Sequence, residues 1–309
     1  PRSTPKPSSA ASDVYKRQFR PVRKQPHRMG VERWGMDWFK QRSWGRHYVG
    51  MLNSLSTPIL WGCFLTGLNV EEHGYGLSEA GEKKLRDAFR SGLLYRLYLL
   101  RRRVPVGRLG LRGLLLRLGL LNPYQGYVMP DSLLGRTSLE ELRAGGRRVA
   151  AIEVPGYNES KNEYYRARVG ELLGEPLSKR AELVEEALED TSERIGRAAE
   201  YVDEGYDLVF VYSPLPDVAL HLVVKPGLRA RAWLRSVHRS LYGAIEGLLD
   251  LAGERGYAVL IVSDHGFDIE EYDHSDYGFW SLSIEPPEWW RIRSILDFKD
   301  SILRLVGAD

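Results

Sequence analysis

An aspartate and a histidine four residues apart, Asp217 and His221, close the segment Ser213-Pro-Leu-Pro-Asp217-Val-Ala-Leu-His221. On one helical turn the two side chains point the same way, so a carboxylate and an imidazole are offered together. Further along, Asp264 and His265 stand side by side ahead of Gly266, whose lack of a side chain permits a sharp backbone turn. Nine residues beyond His265, His274 opens the run His274-Ser-Asp-Tyr-Gly278. Carboxylates and imidazoles together are the donors that bind zinc, manganese and related divalent ions. Taken singly, each is an ordinary surface pair or a satisfied histidine. Their shared position directly after apolar strands is what points to metal chemistry.

Those strands are short β-branched or aromatic runs: Arg148-Val-Ala-Ala-Ile-Glu-Val154, Asp207-Leu-Val-Phe-Val-Tyr212 and Ala258-Val-Leu-Ile-Val262. Between them lie helical patterns. Leu177 to Glu204 carries Leu183, Ala187 and Ile195 among many charges, and Ala230 to Ala252 repeats Trp233, Val237, Leu241, Ile245 and Leu248 at three-to-four spacing. Alternating strands and helices predict an α/β fold with a mostly parallel sheet and helices on both faces. Ligands of such sheets gather at the carboxyl ends of the strands, which is where Asp217 and Asp264 fall. The chain has no internal repeat, no P-loop and no dinucleotide-binding glycine fingerprint.

With 309 residues and 43% hydrophobic content, the chain can bury a sizeable core. Its one cysteine, Cys63, excludes an internal disulfide and any CxxC zinc site, and the expected location is cytoplasmic. Residues 1–18 have no apolar periodicity, and Asp13-Val-Tyr-Lys-Arg-Gln18 resembles translated sequencing adapter. The segment is therefore expected to be a disordered artefact, leaving residues 19–309 as a single domain. It holds four of the 44 basic and one of the 41 acidic residues, the whole of the formal +3. The balanced remainder gives no reason to expect nucleic-acid binding. Arginines, Pro105 and several glycines interrupt the apolar run Leu93 to Leu121, which reads as a helical cap with a wet arginine face; an anionic-lipid surface is the other reading.

The segment Leu52-Asn-Ser-Leu-Ser56-Thr57-Pro58-Ile-Leu-Trp61, followed by Thr66-Gly67 and His73-Gly74, resembles the type I phosphodiesterase and nucleotide pyrophosphatase family of the alkaline phosphatase superfamily. In that family a Thr or Ser opens a helix, a Trp often follows four residues later, and Thr-Gly then leads to His-Gly. The resemblance implies an alkaline-phosphatase-like domain, with a cap insertion at about 80–145. It implies Thr57 as nucleophile, with Ser56 the fallback. It makes Asp217, His221 and His274 ligands of one divalent cation, and Asp264, His265 and the Thr57 oxygen ligands of a second, with zinc or manganese as the metal. Pro58 suits a first helical turn, where a missing N–H costs nothing.

The activity so implied is hydrolysis of a small phosphorylated substrate through a phosphothreonine. Its alternatives are a phosphatase or phosphomutase of the same superfamily and a non-catalytic relative that binds a phosphorylated ligand. The family's first strand ends in an Asp-Gly that binds the Thr57-side metal, and nothing between Phe19 and Ser56 supplies it. Asp37 lies in an amphipathic helical stretch instead. The expectation is that the native amino terminus is missing, that the Thr57-side metal binds weakly and that this chain is poorly active.

Overall fold

The computed structural model describes residues 37–52, 54–75, 129–223, 227–268 and 273–307. After a short 3-10 turn at Asp37–Phe39, strand β1 (Ser43–Tyr48) leads to helix α1 (Thr57–Thr66). All ten α1 residues are buried, as expected for a helix apolar on every side, and it lies at the centre of the main core. Trp61 anchors it edge-on to Phe210 and Tyr212 of the following strand layer. Thr66 folds its hydroxyl back onto Gly62 O at 2.7 Å, and Gly67, at φ 66°, ends the helix in the left-handed conformation that glycine adopts without strain.

Helices α2 (Asp131–Leu134) and α3 (Ser138–Ala144) precede β2 (Val149–Ile152). Their Leu133, Leu139 and Leu142 are buried in the main core, so residues 129–144 pack with the domain body. Most of the expected insertion, and the arginine-rich Leu93 to Leu121, lie outside the described residues. There follow α4 (Asn162–Leu172), α5 (Leu177–Asp203), β3 (Leu208–Val211), α6 (Asp217–Leu222) and α7 (Leu228–Glu254). The two 27-residue helices α5 and α7 pack on each other, and α5 also packs on β2 and β3. A second core, including Tyr165, Leu183, Leu222, Leu234 and Val237, joins α4, α5, α6 and α7.

The chain ends with β4 (Leu260–Val262), a hairpin of β5 (Gly266–Asp268) and β6 (Asp273–Ser275), β7 (Tyr277–Leu282) and α8 (Phe298–Leu305). β2 and β3 pair in parallel, Val149 opposite Leu208. β4 instead pairs antiparallel with β7, and β7 antiparallel with β1. Among the described residues the expected mostly parallel sheet is seen only as the β2–β3 pair, and β1, β7 and β4 form a three-stranded antiparallel sheet. The cause is β7, which returns from the hairpin after a short connection and so takes the neighbouring position in the opposite direction. Its Tyr-Gly-Phe-Trp-Ser-Leu sequence carries no clean alternation that would mark it as a strand.

Candidate metal centre

Three elements bring the predicted donors together. β3 ends just before α6, whose first residue is Asp217, and one turn later His221 Nε2 lies 3.3 Å from Asp217 Oδ1. β4 ends just before Asp264 and His265. The β5–β6 hairpin sets Phe267 opposite His274 and folds His274 over His265, with ring centroids 3.6 Å apart and planes 20° apart. Gly266 is essential to this fold-back. A Cβ there would collide with Ser275 Oγ and meet the Tyr277 carbonyl at 2.7 Å, so the glycine serves close approach between chain segments.

His274 Nε2 stands 2.8 Å from His221 Nε2 and 3.8 Å from Asp217 Oδ1. His265 Nε2 is 3.9 Å from Asp217 Oδ1 and 3.7 Å from Asp264 Oδ2. Asp217, His221 and His274 therefore offer one ligand atom each within 4.8 Å of one another. The tautomers are fixed from behind. His274 Nδ1 lies 2.8 Å from Leu55 O and His265 Nδ1 3.0 Å from Gly266 O; facing carbonyls, both nitrogens must donate, which leaves each neutral ring's Nε2 with its lone pair. Asp217 Oδ1, with the His221 ring 3.3 Å away, and Asp264 Oδ2 are both buried from water. Converging imidazole lone pairs with two carboxylate oxygens shut off from water fit a divalent cation in both donor type and placement.

The charges divide unevenly. Burial would raise the Asp217 carboxyl, but His221, His265 and His274 hold it well below the usual range. Burial, reinforced by the Asp217 charge, pushes Asp264 up to about 7. Burial, with repulsion from His265, lowers His274 to about 4. Driving neighbouring groups apart in this way is typical of functional sites.

Thr57 is buried as the first residue of α1, two residues past the Leu55 carbonyl that receives His274 Nδ1. Ser56 is the residue before the helix; its hydroxyl makes no capping bond and is buried without a hydrogen-bond partner. Two residues went unassigned in the sequence. His47 of β1 is fully buried, with Nε2 3.4 Å from the Asp264 carbonyl, and burial lowers it to about 4. Tyr212, at the end of the β3 run, is raised well above the phenol range by burial and by the Asp264 and Asp217 charges, so its hydroxyl stays neutral. Direct succession to a strand could have flagged Tyr212, whereas no local pattern marks His47.

A mixed α/β chain with acidic and imidazole side chains gathered just past its strands belongs to a class that performs chemistry at strand ends. The model of the type I phosphodiesterase / nucleotide pyrophosphatase family matches residues 122–288, and the chain belongs to that family, part of the alkaline phosphatase superfamily. The family consists generally of hydrolytic phosphoesterases acting on small phosphorylated substrates. No curated protein and no solved structure matches the chain. The matched region takes in Asp217, His221, Asp264, His265 and His274 and begins after Thr57.

Proposed function

We propose that the chain is a divalent-metal-dependent phosphoesterase, a phosphodiesterase or nucleotide pyrophosphatase, working through a phosphothreonine on Thr57. The meeting of Asp217, His221 and His274 just past β3 and within the β5–β6 hairpin, inside the family match, carries this reading. In it Asp217, His221 and His274 hold one cation, and Asp264, His265 and the Thr57 oxygen hold the other, with zinc ahead of manganese. Cations held there supply positive charge to a bound phosphoryl group and lower the pKa of nearby hydroxyl and water.

Thr57 gives up its hydroxyl proton as its oxygen bonds to phosphorus and the ester oxygen leaves. Water then bonds to phosphorus from the opposite side, the Thr57–phosphorus bond breaks and the hydroxyl is restored. Two inversions leave configuration at phosphorus retained. The first-turn N–H groups of α1 and its dipole favour the anion beside Thr57. His47 supports the Asp264 backbone, and Tyr212 adds a buried neutral hydroxyl under the influence of both carboxylates.

The test is hydrolysis of bis(4-nitrophenyl) phosphate and of its monoester with zinc or manganese. Turnover should fall about a thousandfold in Thr57→Ala and about a hundredfold or more in Asp264→Asn. Turnover that survives both changes overturns the mechanism, and preference for the monoester would select the phosphatase alternative.

A non-catalytic phospho-ligand binder is the second reading. It is favoured by the Thr57 side, where no second group of three donors forms among the described residues. It requires phosphate binding without turnover. Among the described residues no helix is long and apolar enough to cross a membrane. A cytoplasmic location accompanies the proposal.

A further inference from the structure

Asp217 stands at the start of α6, a helix of six residues. A helix that short has no stability of its own, so its start is placed by what grips the chain ahead of it. Pro216, the residue before it, offers no capping group, and neither Pro214 nor Pro216 has an N–H to give. The connection Ser213-Pro-Leu-Pro216 is thus poor in backbone donors. Yet it ends at the carboxylate that meets His221, His265 and His274 within 3.9 Å.

The grip comes from one buried turn of α5. Arg194 donates to Tyr212 O at 3.0 Å and to Asn162 Oδ1 at 2.9 Å, and Asn162 Nδ2 donates to Glu153 O at 2.7 Å. The chain just past β2 and just past β3 is thereby fastened to one guanidinium. On the same turn Thr191, 1% exposed, donates its single hydroxyl proton to Ala187 O at 2.7 Å. Its oxygen lies 2.9 Å from Ser213 Oγ, so the proton between them must be that of Ser213. Ser213 Oγ in turn accepts the Leu215 N–H at 3.1 Å. A hydrogen-bond chain of fixed direction results, from Leu215 N–H through Ser213 and Thr191 to Ala187 O, and it begins two residues before Asp217.

We propose that Thr191 is a positioning residue for the metal centre, setting through Ser213 where Asp217 meets the cation; this rests on the metal-binding reading of Asp217, His221 and His274. Valine at this position has the shape of threonine without the hydroxyl. It leaves the Ser213 proton with no acceptor, so the hydroxyl turns to another partner and releases the Leu215 amide. Asp217 then shifts against His274, which the β5–β6 hairpin and the Leu55 carbonyl hold independently. Small displacements matter because ligand distances tolerate only about 0.2 Å.

Calorimetric titration of the EDTA-stripped full chain with zinc, beside thermal unfolding of the metal-free protein, tests this. The tighter zinc site should weaken about ten- to a hundredfold in Thr191→Val and in Ser213→Ala, and recover in Thr191→Ser, which keeps the hydroxyl. Leu183→Ala, in the second core on the same helix, should lower the melting temperature at least as far and leave zinc affinity unchanged. Zinc held as tightly by Thr191→Val or Ser213→Ala as by the unaltered chain overturns the proposal, and Ser213→Ala decides if Thr191→Val does not fold. Equal weakening in Leu183→Ala, or no recovery in Thr191→Ser, also overturns it, since the effect then reports stability or packing alone. An unaltered chain that binds no zinc overturns the metal centre itself, and the positioning role with it.

Discussion

Asp217 and Asp264 share His265 as a neighbour, 3.9 and 3.7 Å from its Nε2, and their carboxyls are driven in opposite directions. Asp264, held up to about 7 by burial and the Asp217 charge, must lose its proton before it can ligate a cation. Zinc affinity should therefore rise with pH through about 7, with proton release visible when calorimetry is repeated in buffers of different ionisation enthalpy. In Asp264→Asn that release should shrink. The metal-free protein has its own dependence. His47 and His274, lowered from 6.5 to about 4, contribute stability that is present above 6.5 and lost as pH falls toward 4. Asp264, raised from 3.8 to about 7, acts in the opposite sense, withdrawing stability as pH rises through that window. Two histidines outweigh one carboxyl, so in EDTA the melting temperature should be higher at pH 6.5 than at pH 4.5. His47→Gln should flatten the rise. The donors were legible because Asp217 and His221 share a helical spacing and Asp264 and His265 are adjacent after an apolar run. His47 was not, because one histidine in Ser-Trp-Gly-Arg-His-Tyr carries no sign of the Asp264 carbonyl it meets across the sheet.

At the scale of elements, Gly278 and Arg194 hold the layers that present the site. A Cβ at Gly278 would collide with the His47 ring and the Ser263 carbonyl, so Gly278→Ala should cost about 1–3 kcal/mol in denaturant unfolding. Arg194 of α5, 2% exposed, donates to Asn162 Oδ1 at 2.9 Å and Tyr212 O at 3.0 Å and pairs with buried Asp190. Arg194→Met leaves the Asp190 carboxylate without its guanidinium, with Lys161 at 3.0 Å and the Tyr165 hydroxyl remaining, and should cost about 3–5 kcal/mol, whereas Arg194→Met with Asp190→Leu should cost less. The strands at 149–152, 208–211 and 260–262 and the helices at 177–203 and 228–254 were readable from apolar runs and three-to-four spacing. Sheet order was not, because pairing depends on which strand returns beside which. β1 and β7, with glycines, a serine and no alternation, gave no local signal of being strands.

At the scale of the molecule, the family match and the donor cluster coincide over the carboxyl half, and the Thr57 segment joins them through the Leu55 carbonyl. Removing residues 1–18, which carry the net +3 but no core residue pattern, should leave melting temperature and metal binding unchanged. The arginine-rich Leu93 to Leu121 should not hold the protein on anionic vesicles. In sedimentation, neither the chain nor a variant with Arg101, Arg102 and Arg103 changed to Ser should pellet. The central claim is tested most directly by hydrolysis of bis(4-nitrophenyl) phosphate across a zinc titration of EDTA-stripped protein, beside Asp217→Asn. Turnover should be slow, appear with zinc, vanish in EDTA and fall about a hundredfold or more in the variant. Hydrolysis that persists in EDTA, or that Asp217→Asn leaves intact, would contradict it.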